Sequence, residues 1–470
     1  MKVVIVGSGI SGLTTAFSLL RNNPDLDVKI LEADNRIGGT ISTRLESGCV
    51  IEEGPDSFLT TKPWALELCN LLNLQGQILQ TNDANRRALI ALNDELLPLP
   101  EGFMLLAPTK IYPFLDSKIL SLNSKLNGAM EIFKAPAKDI GDETLKEFAV
   151  RRFGQEMFER IIQPMVAGIY TGDPDKLSAA ATIPQFVEME KNFGSVGKAF
   201  LNNAVSKSSD SGARYSAFIT LKSGLQTLVE ALTAAIGSER IELGCRVEKL
   251  TPADGKWKVN CSDGRHFDAD AVVLAASARA LSAIIRSTDD ALAEALGRVE
   301  YSSCAVLNML FDACHIGRAL DGFGLVVPEI EKKKIIACSF ASTKFAGRAP
   351  AGMALVRVFL GGELHPEIFA LSDGDMIQAA LHDLRTYLKI SHFPRKIWIK
   401  RWTKAMPQYT VGHLALVERL KARFGQHQGL VWTGSALSGV GIPDCVRAGF
   451  DAAVSVQELT KNSQKSPALV

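Results

Sequence analysis

The stretch KVVIVGSGISGLTTAFSLL, residues 2–20, decides the fold. KVVIV is a short apolar run ended by a glycine, which reads as a buried strand, and LTTAFSLL reads as a helix. Between them Gly7, Gly9 and Gly12 stand in GSGISG, where the strand turns into the helix. Gly7 permits the tight turn, Gly9 lets the backbone approach a pyrophosphate, and Gly12 lets helix and strand pack closely. The helix N-terminus, with Ile10 and Ser11 in its first turn, offers free N–H groups to phosphate charge. VKILE, 28–32, is the second strand of a βαβ unit and ends on Glu32, twenty residues beyond Gly12. That carboxylate can accept both ribose hydroxyls and repels a 2′-phosphate.

Two further glycine sites narrow the choice of dinucleotide. After Glu32 comes ADNRIGGT, in which Arg36 can balance pyrophosphate charge while Gly38 and Gly39 let backbone pass very close to a ligand. A nicotinamide domain has no need of that second glycine pair. IEEGPDSF, 51–58, adds Gly54 to the candidate cofactor contacts.

Composition sets the limits. A chain of 470 residues is expected to form two or three domains, built from interleaved segments. Lys+Arg 52 against Asp+Glu 51 leaves a nearly neutral molecule, which argues against nucleic acid as a partner. The eight cysteines are scattered without metal spacing, so no metal site is expected and reduced cytosolic thiols are. Glycines interrupt the first apolar run where a signal h-region would be continuous. No uninterrupted apolar stretch has the ~18 residues of a membrane span.

Along the chain, the segment from about 85 to 169 carries helical periodicity broken by prolines and reads as a helical insertion. SKSSDSG, 206–212, has linker composition. LKSGLQTLVEALTAAI reads as an amphipathic helix, and IELGCRVEKL, KWKVNC and ADAVVLAA as strands of a returning sheet. GLVWTG is a last strand, followed by a helix from about 441 to 459. The expected class is α/β: a Rossmann-like dinucleotide-binding domain from 1–85, 217–300 and 402–470, a mixed-sheet substrate domain from 86–100, 167–216 and 301–401, and a helical insertion, 101–166, able to rest on a membrane.

The glycine fingerprint, Glu32 and RIGG together resemble the flavin-binding N-terminus shared by amine oxidases, phytoene desaturases and protoporphyrinogen oxidases, which implies FAD. In that group the segment matching RVEKL meets the adenine end through backbone, here at Val247. The final WTGSALSGVGIPDCVRAG, 432–449, is similar to the flavin-covering segment of protoporphyrinogen oxidases and carries over Gly434, Val440, Gly441 and Ile442. Amine oxidases usually place Glu or Asp after that strand's glycine, where this chain has Ser435. GPDSF, FGSV (193–196), DGFGLVVP (321–328) and FLGG (359–362) also resemble protoporphyrinogen oxidase segments.

The resemblance implies that a porphyrinogen gives up a hydride from a methylene bridge to flavin N5, with oxygen restoring the flavin and no catalytic side chain required. It implies a substrate pocket with Arg87 on a propionate, the Gly168 carbonyl facing pyrrole N–H groups, and Phe323, Val326 and Phe359 flanking the rings; Phe345 is a weaker candidate. Arg86 competes with Arg87, because the usual aromatic residue after the arginine is here Ala88. Protoporphyrinogen IX and coproporphyrinogen III both remain open as substrates. An FAD-dependent amine oxidase and a non-catalytic flavin-retaining partner of haem-pathway proteins are the rival readings. A cytoplasmic protein is expected, with room for peripheral contact at the inner face of the membrane and for a ferrochelatase-type partner.

The stretch GIYTGDPDKLSAAATIP, 168–184, has two readings. Residues alone make it a turn, with Gly168 and Gly172 free to take positive φ and Ser178 capping a short helix. The resemblance makes Gly168 the wall of a site.

Overall fold

The structure is a computed structural model and describes residues 1–137, 141–206 and 218–465. Five parallel strands form one sheet, in the order Ile241–Glu242, Asp27–Leu31, Lys2–Val6, Ala271–Leu274 and Leu430–Trp432. Its strands are apolar on both faces because both are covered, as parallel sheets require. The helices Ile10–Asn22, Gln226–Ile236 and Ile442–Lys465 bury one face around Val3, Ile5 and Val273. A three-stranded antiparallel meander, 247–269, with the helices Ala278–Ile285, Asp290–Gly297 and His413–Phe424, buries the other around Val4, Val272 and Leu274. This is the doubly wound α/β architecture that the opening βαβ unit predicts.

A second sheet has seven strands, in the order Lys396–Gln408, Glu300–Asp312, Met353–Gly361, Ile335–Ser339, Gly324–Val326, Ala88–Leu92 and Glu95–Pro98. Only the pair Gly324–Val326 and Ala88–Leu92 runs parallel. Alternation divides its side chains cleanly. Leu325, Cys338, Val358 and Leu307 point to a core closed by the helix Asp373–Leu388. Val326, Ala337, Phe359, Val306 and Lys400 lie in one cross-strand row on the opposite face.

The helical part packs beside that sheet. Helices Ile111–Asp116, Leu122–Ala129, Leu145–Phe153 and Pro184–Phe193 surround a core of Phe114, Phe148, Phe153 and Phe186. A helix from Gln155 to Tyr170 crosses it, widened at Phe158–Ile162 into a π-helical turn. Arg152, buried in this bundle, is neutralised by Glu131 and Glu190, which satisfies a charge that would otherwise be costly.

Three expectations are corrected. Residues 88–108, assigned to helical periodicity, form short strands, and helices begin only at Ile111; prolines 98, 100 and 108 and the left-handed Leu105 prevent a helix there. IELGCRVEKL is two strands in two sheets, because Gly244 takes φ +63 and redirects the chain between Glu242 and Val247. Neither Gly168 nor Gly172 has positive φ; Thr171 (φ 48) takes the left-handed cap, and Gly168 sits in the last helical turn. Ser178 does cap the helix Ala179–Thr182, accepting from the Ala181 N–H at 3.0 Å. The expected linker, 206–212, lies but for Ser206 outside the described residues.

Candidate dinucleotide and substrate site

The fingerprint glycines are positioned by backbone contact. A Cβ on Gly12 would come 2.1 Å from the Gly7 carbonyl oxygen, and Gly7 itself has φ +107. Gly9 has nothing within 4 Å of its Cβ position, so its backbone is open to a ligand. Gly38 and Gly39 fold over from the side: the Gly38 N–H donates to the Ser8 carbonyl at 3.0 Å, and a Cβ on Gly39 would press the Gly9 Cα at 3.1 Å. Two glycine segments thus meet back to back above a helix N-terminus, a cradle that side chains would fill and that fits a pyrophosphate.

Glu32 stands at one end of the cradle. Its Oε2 accepts the Ser8 N–H at 2.8 Å and the Ser8 hydroxyl at 2.6 Å, and Oε1 accepts the Asp34 N–H. The Cys245 N–H donates to the Glu32 carbonyl, which brings the start of the Val247 strand beside Glu32. Arg36 donates to the Gly39 and Ile41 carbonyls and lies over the Trp402 ring. It braces the glycine loop as well as carrying charge.

The other end is closed by the C-terminal segment. Gly434 (φ 127) and Gly439 (φ 147) bracket a single turn, and Val440 and Gly441 lead into the long helix beginning at the buried Ile442. The Ser11 hydroxyl donates to the Cys445 carbonyl at 2.9 Å, so the first turns of the first and last helices touch. Asp444 in that last first turn is paired with Lys62 at 2.6 and 2.8 Å. The Tyr409 hydroxyl donates to the Ser435 carbonyl, and burial raises the pKa of Tyr409 well above its usual value.

The candidate substrate residues fall in two groups on the mixed sheet, Arg87 with Phe323, and Gly168 with Val326 and Phe359. The Phe323 N–H donates to the Arg87 carbonyl at 2.8 Å, and the Arg87 guanidinium, half exposed, lies 3.5 Å from Asp321. Arg86 pairs instead with Asp83. Val326, three residues after Phe323, is the one side chain near Gly168: a Cβ on the glycine would meet Val326 Cγ1 at 3.7 Å. Gly168 is exposed, and no donor within the described chain reaches its carbonyl, because the helix ends before an i+4 N–H is available. Phe359 occupies the same cross-strand row as Val326, with Ala337 between them. Phe345 is 1% exposed beneath Lys344 and Arg348 and belongs to the core.

Several residues of this region carry no sequence signal. Asn308 Nδ2 donates to the Glu52 carbonyl at 3.1 Å, Trp402 Nε1 to the Glu53 carbonyl at 2.6 Å, and the Arg357 guanidinium to the Gly54 carbonyl. Three strands of the mixed sheet therefore hold three consecutive carbonyls of the cofactor domain. Burial pushes Glu52 up to about 7. Burial would raise Asp56 too, but Lys344 and Arg357 outweigh it and hold that carboxyl well below its usual range.

A dinucleotide cradle tied to a sheet face that carries Val326, Phe359 and Arg357 has the two-part form of a flavin-dependent redox enzyme. The chain belongs to the flavin-containing amine oxidoreductase family, whose description it matches over residues 10–457. FAD is its cofactor: the double glycine cradle and the Glu32 carboxylate fit that dinucleotide. The chain is 35% identical to a coproporphyrinogen III oxidase of Bacillus subtilis, covering 96% of this chain and 97% of the relative. It is 30% identical to the chloroplastic protoporphyrinogen oxidase 1 of Arabidopsis thaliana, covering 96% of this chain and 87% of the relative. Among solved structures, cyclohexylamine oxidase from Brevibacterium oxydans shares the fold with a TM-score of 0.72 at 17% identity, over 98% of this chain and 99% of that one.

Proposed function

We propose that this flavoenzyme oxidises a porphyrinogen to a porphyrin in haem biosynthesis, with coproporphyrinogen III preferred and molecular oxygen as terminal acceptor. The observation that carries the reading is the near end-to-end match to porphyrinogen oxidases, with the coproporphyrinogen III oxidase of Bacillus subtilis at 35% identity. A bound flavin supplies the hydride acceptor. Arg87 binds a propionate at the pocket edge, the Gly168 carbonyl accepts a pyrrole N–H, and Phe323, Val326 and Phe359 exclude water around the macrocycle. The absence of an acid after Gly434, where Ser435 stands, favours this over amine oxidation.

The test is aerobic turnover of FAD-loaded protein on coproporphyrinogen III and protoporphyrinogen IX separately, followed by porphyrin fluorescence. Repeated turnover, faster on coproporphyrinogen III, is the expected result. No turnover on either substrate overturns the reading, and a single stoichiometric event marks a carrier.

The helical part adds a proposed peripheral contact with the membrane. Tyr112 is 85% exposed, Phe133 72% and Leu122 69%, on helices that pack together beside exposed Lys118. Among the described residues no helix is long and apolar enough to cross a membrane, so the contact would be a surface one.

A further inference from the structure

We infer that Arg357 is a positioning residue that sets the cofactor segment and the substrate-facing ring against one another. This rests on the proposed oxidation at the same site and deepens it.

Arg357 and Phe359 are two apart on the strand Met353–Gly361, so they share a face of the mixed sheet. The Arg357 guanidinium carbon lies 4.7 Å from the centre of the Phe359 ring. The same guanidinium donates to the Gly54 carbonyl and stands 3.8 Å from Asp56. One buried side chain, 4% exposed, thus contacts the cofactor-side backbone and the substrate-side ring at once.

Its neighbours keep that link in register. Asn308 is the cross-strand partner of Arg357 and holds the Glu52 carbonyl; Trp402, on the strand beyond, holds the Glu53 carbonyl. Neither of those side chains has a ring contact to Phe359 among the described residues. Gly54 cannot yield toward its own domain, because even a Cβ there would fall 1.7 Å from the Thr40 carbonyl oxygen. The segment is therefore clamped between its own loop and the arginine. A planar fork suits this double duty, since guanidinium can stack on a ring while donating in its plane. Lysine keeps the charge and loses the fork.

Hydride transfer is sensitive to placement, and a displacement of about 1 Å can cost 10²-fold. Arg357→Gln and Arg357→Lys are compared with wild type for FAD dissociation constant, melting temperature, flavin absorbance spectrum, and kcat and KM on coproporphyrinogen III. The expected result for Arg357→Gln is FAD affinity within about threefold, a shifted flavin spectrum, and kcat lowered by at least tenfold with KM changed less than threefold. Arg357→Lys should recover melting temperature without recovering kcat.

A loaded, folded Arg357→Gln enzyme with an unchanged flavin spectrum and kcat within twofold of wild type overturns the inference. So does a loss of kcat that Arg357→Lys restores in step with stability. If Arg357→Gln is insoluble, Arg357→Lys carries the same readouts, and a wild-type spectrum and kcat there overturn the inference. If wild type turns over no porphyrinogen, the functional reading fails by itself, and the flavin spectra of the two variants still decide whether Arg357 places the cofactor.

Discussion

Ser8 and Glu32 are joined twice through a single oxygen: the Ser8 N–H and the Ser8 hydroxyl both donate to Glu32 Oε2, at 2.8 and 2.6 Å. The carboxylate therefore orders the glycine turn, and we propose that it also accepts the ribose hydroxyls of the cofactor. Glu32→Ala should weaken FAD binding by roughly 1.5–3 kcal/mol, the worth of a charge-assisted hydrogen bond. Titrating FAD into apoprotein checks this. Turnover of the fraction that stays loaded should change little, and an unaltered dissociation constant would refute the assignment.

Gly168 gives a test in which stability and activity part company. The residue is helical, and an added Cβ meets only Val326 Cγ1 at an ordinary 3.7 Å. Gly168→Ala should then leave the melting temperature unchanged or raise it, since alanine is about 0.8–1 kcal/mol better than glycine in a helix. Porphyrinogen oxidation should fall. A destabilised variant with a proportionate loss of activity would return the position to a purely structural role.

Arg87 is 49% exposed at its side chain and 3.5 Å from Asp321, itself 41% exposed. Such a pair contributes little to stability. Arg87→Ala should keep its melting temperature and raise KM for a porphyrinogen several-fold with a smaller change in kcat. If Arg86→Ala gives that signature and Arg87→Ala does not, the propionate site lies one residue earlier.

The membrane contact is checked by flotation with anionic vesicles at low salt. Wild type should float, and Leu122→Glu combined with Phe133→Glu should stay in the dense fraction while retaining turnover on dispersed substrate. Equal partitioning of the two proteins would remove the helices from the contact.

Glu52 and His413 give opposite pH dependences. Burial holds the Glu52 carboxyl near 7 against an ordinary 4.5, so it is protonated in the fold and adds stability as pH falls from about 7 to 4.5. Burial lowers the His413 imidazole to about 4 from 6.5, so the unfolded chain takes up the proton first and stability falls over about 6.5 to 4. Each is worth roughly 3 kcal/mol, with opposite sign. Thermal melts between pH 4 and 7 should show a shallow wild-type profile, a steeper loss on acidification for Glu52→Gln, and a gain for His413→Leu.

Local chemistry made much of the cradle readable. Gly7, Gly9 and Gly12 sit in one turn, Glu32 follows by a single βαβ unit, and Ser178 caps its own helix. The positions that failed depend on distant chain. Gly244 divides one apparent strand into two because each half has a different sheet to join. Arg357 reaches Gly54 across 303 residues and Lys62 reaches Asp444 across 382, and no spacing in the sequence records either meeting. The Gly168 reading needed the fold as well, since only Thr171 in the left-handed cap explains why both flanking glycines keep negative φ.

The contact between Ser11 and Cys445 has a consequence for biosynthesis. The helix that begins the cofactor cradle leaves the ribosome early, and the helix that completes it is translated more than four hundred residues later, as the 434-residue separation of that hydrogen bond records. At about 5–20 residues per second the first helix waits on the order of tens of seconds for its last partner. During that interval the Ser11 hydroxyl lacks its acceptor and the Thr15 hydroxyl one of its two, and a premature stop before Ile442 leaves the first helix without that cover however well the preceding residues have folded.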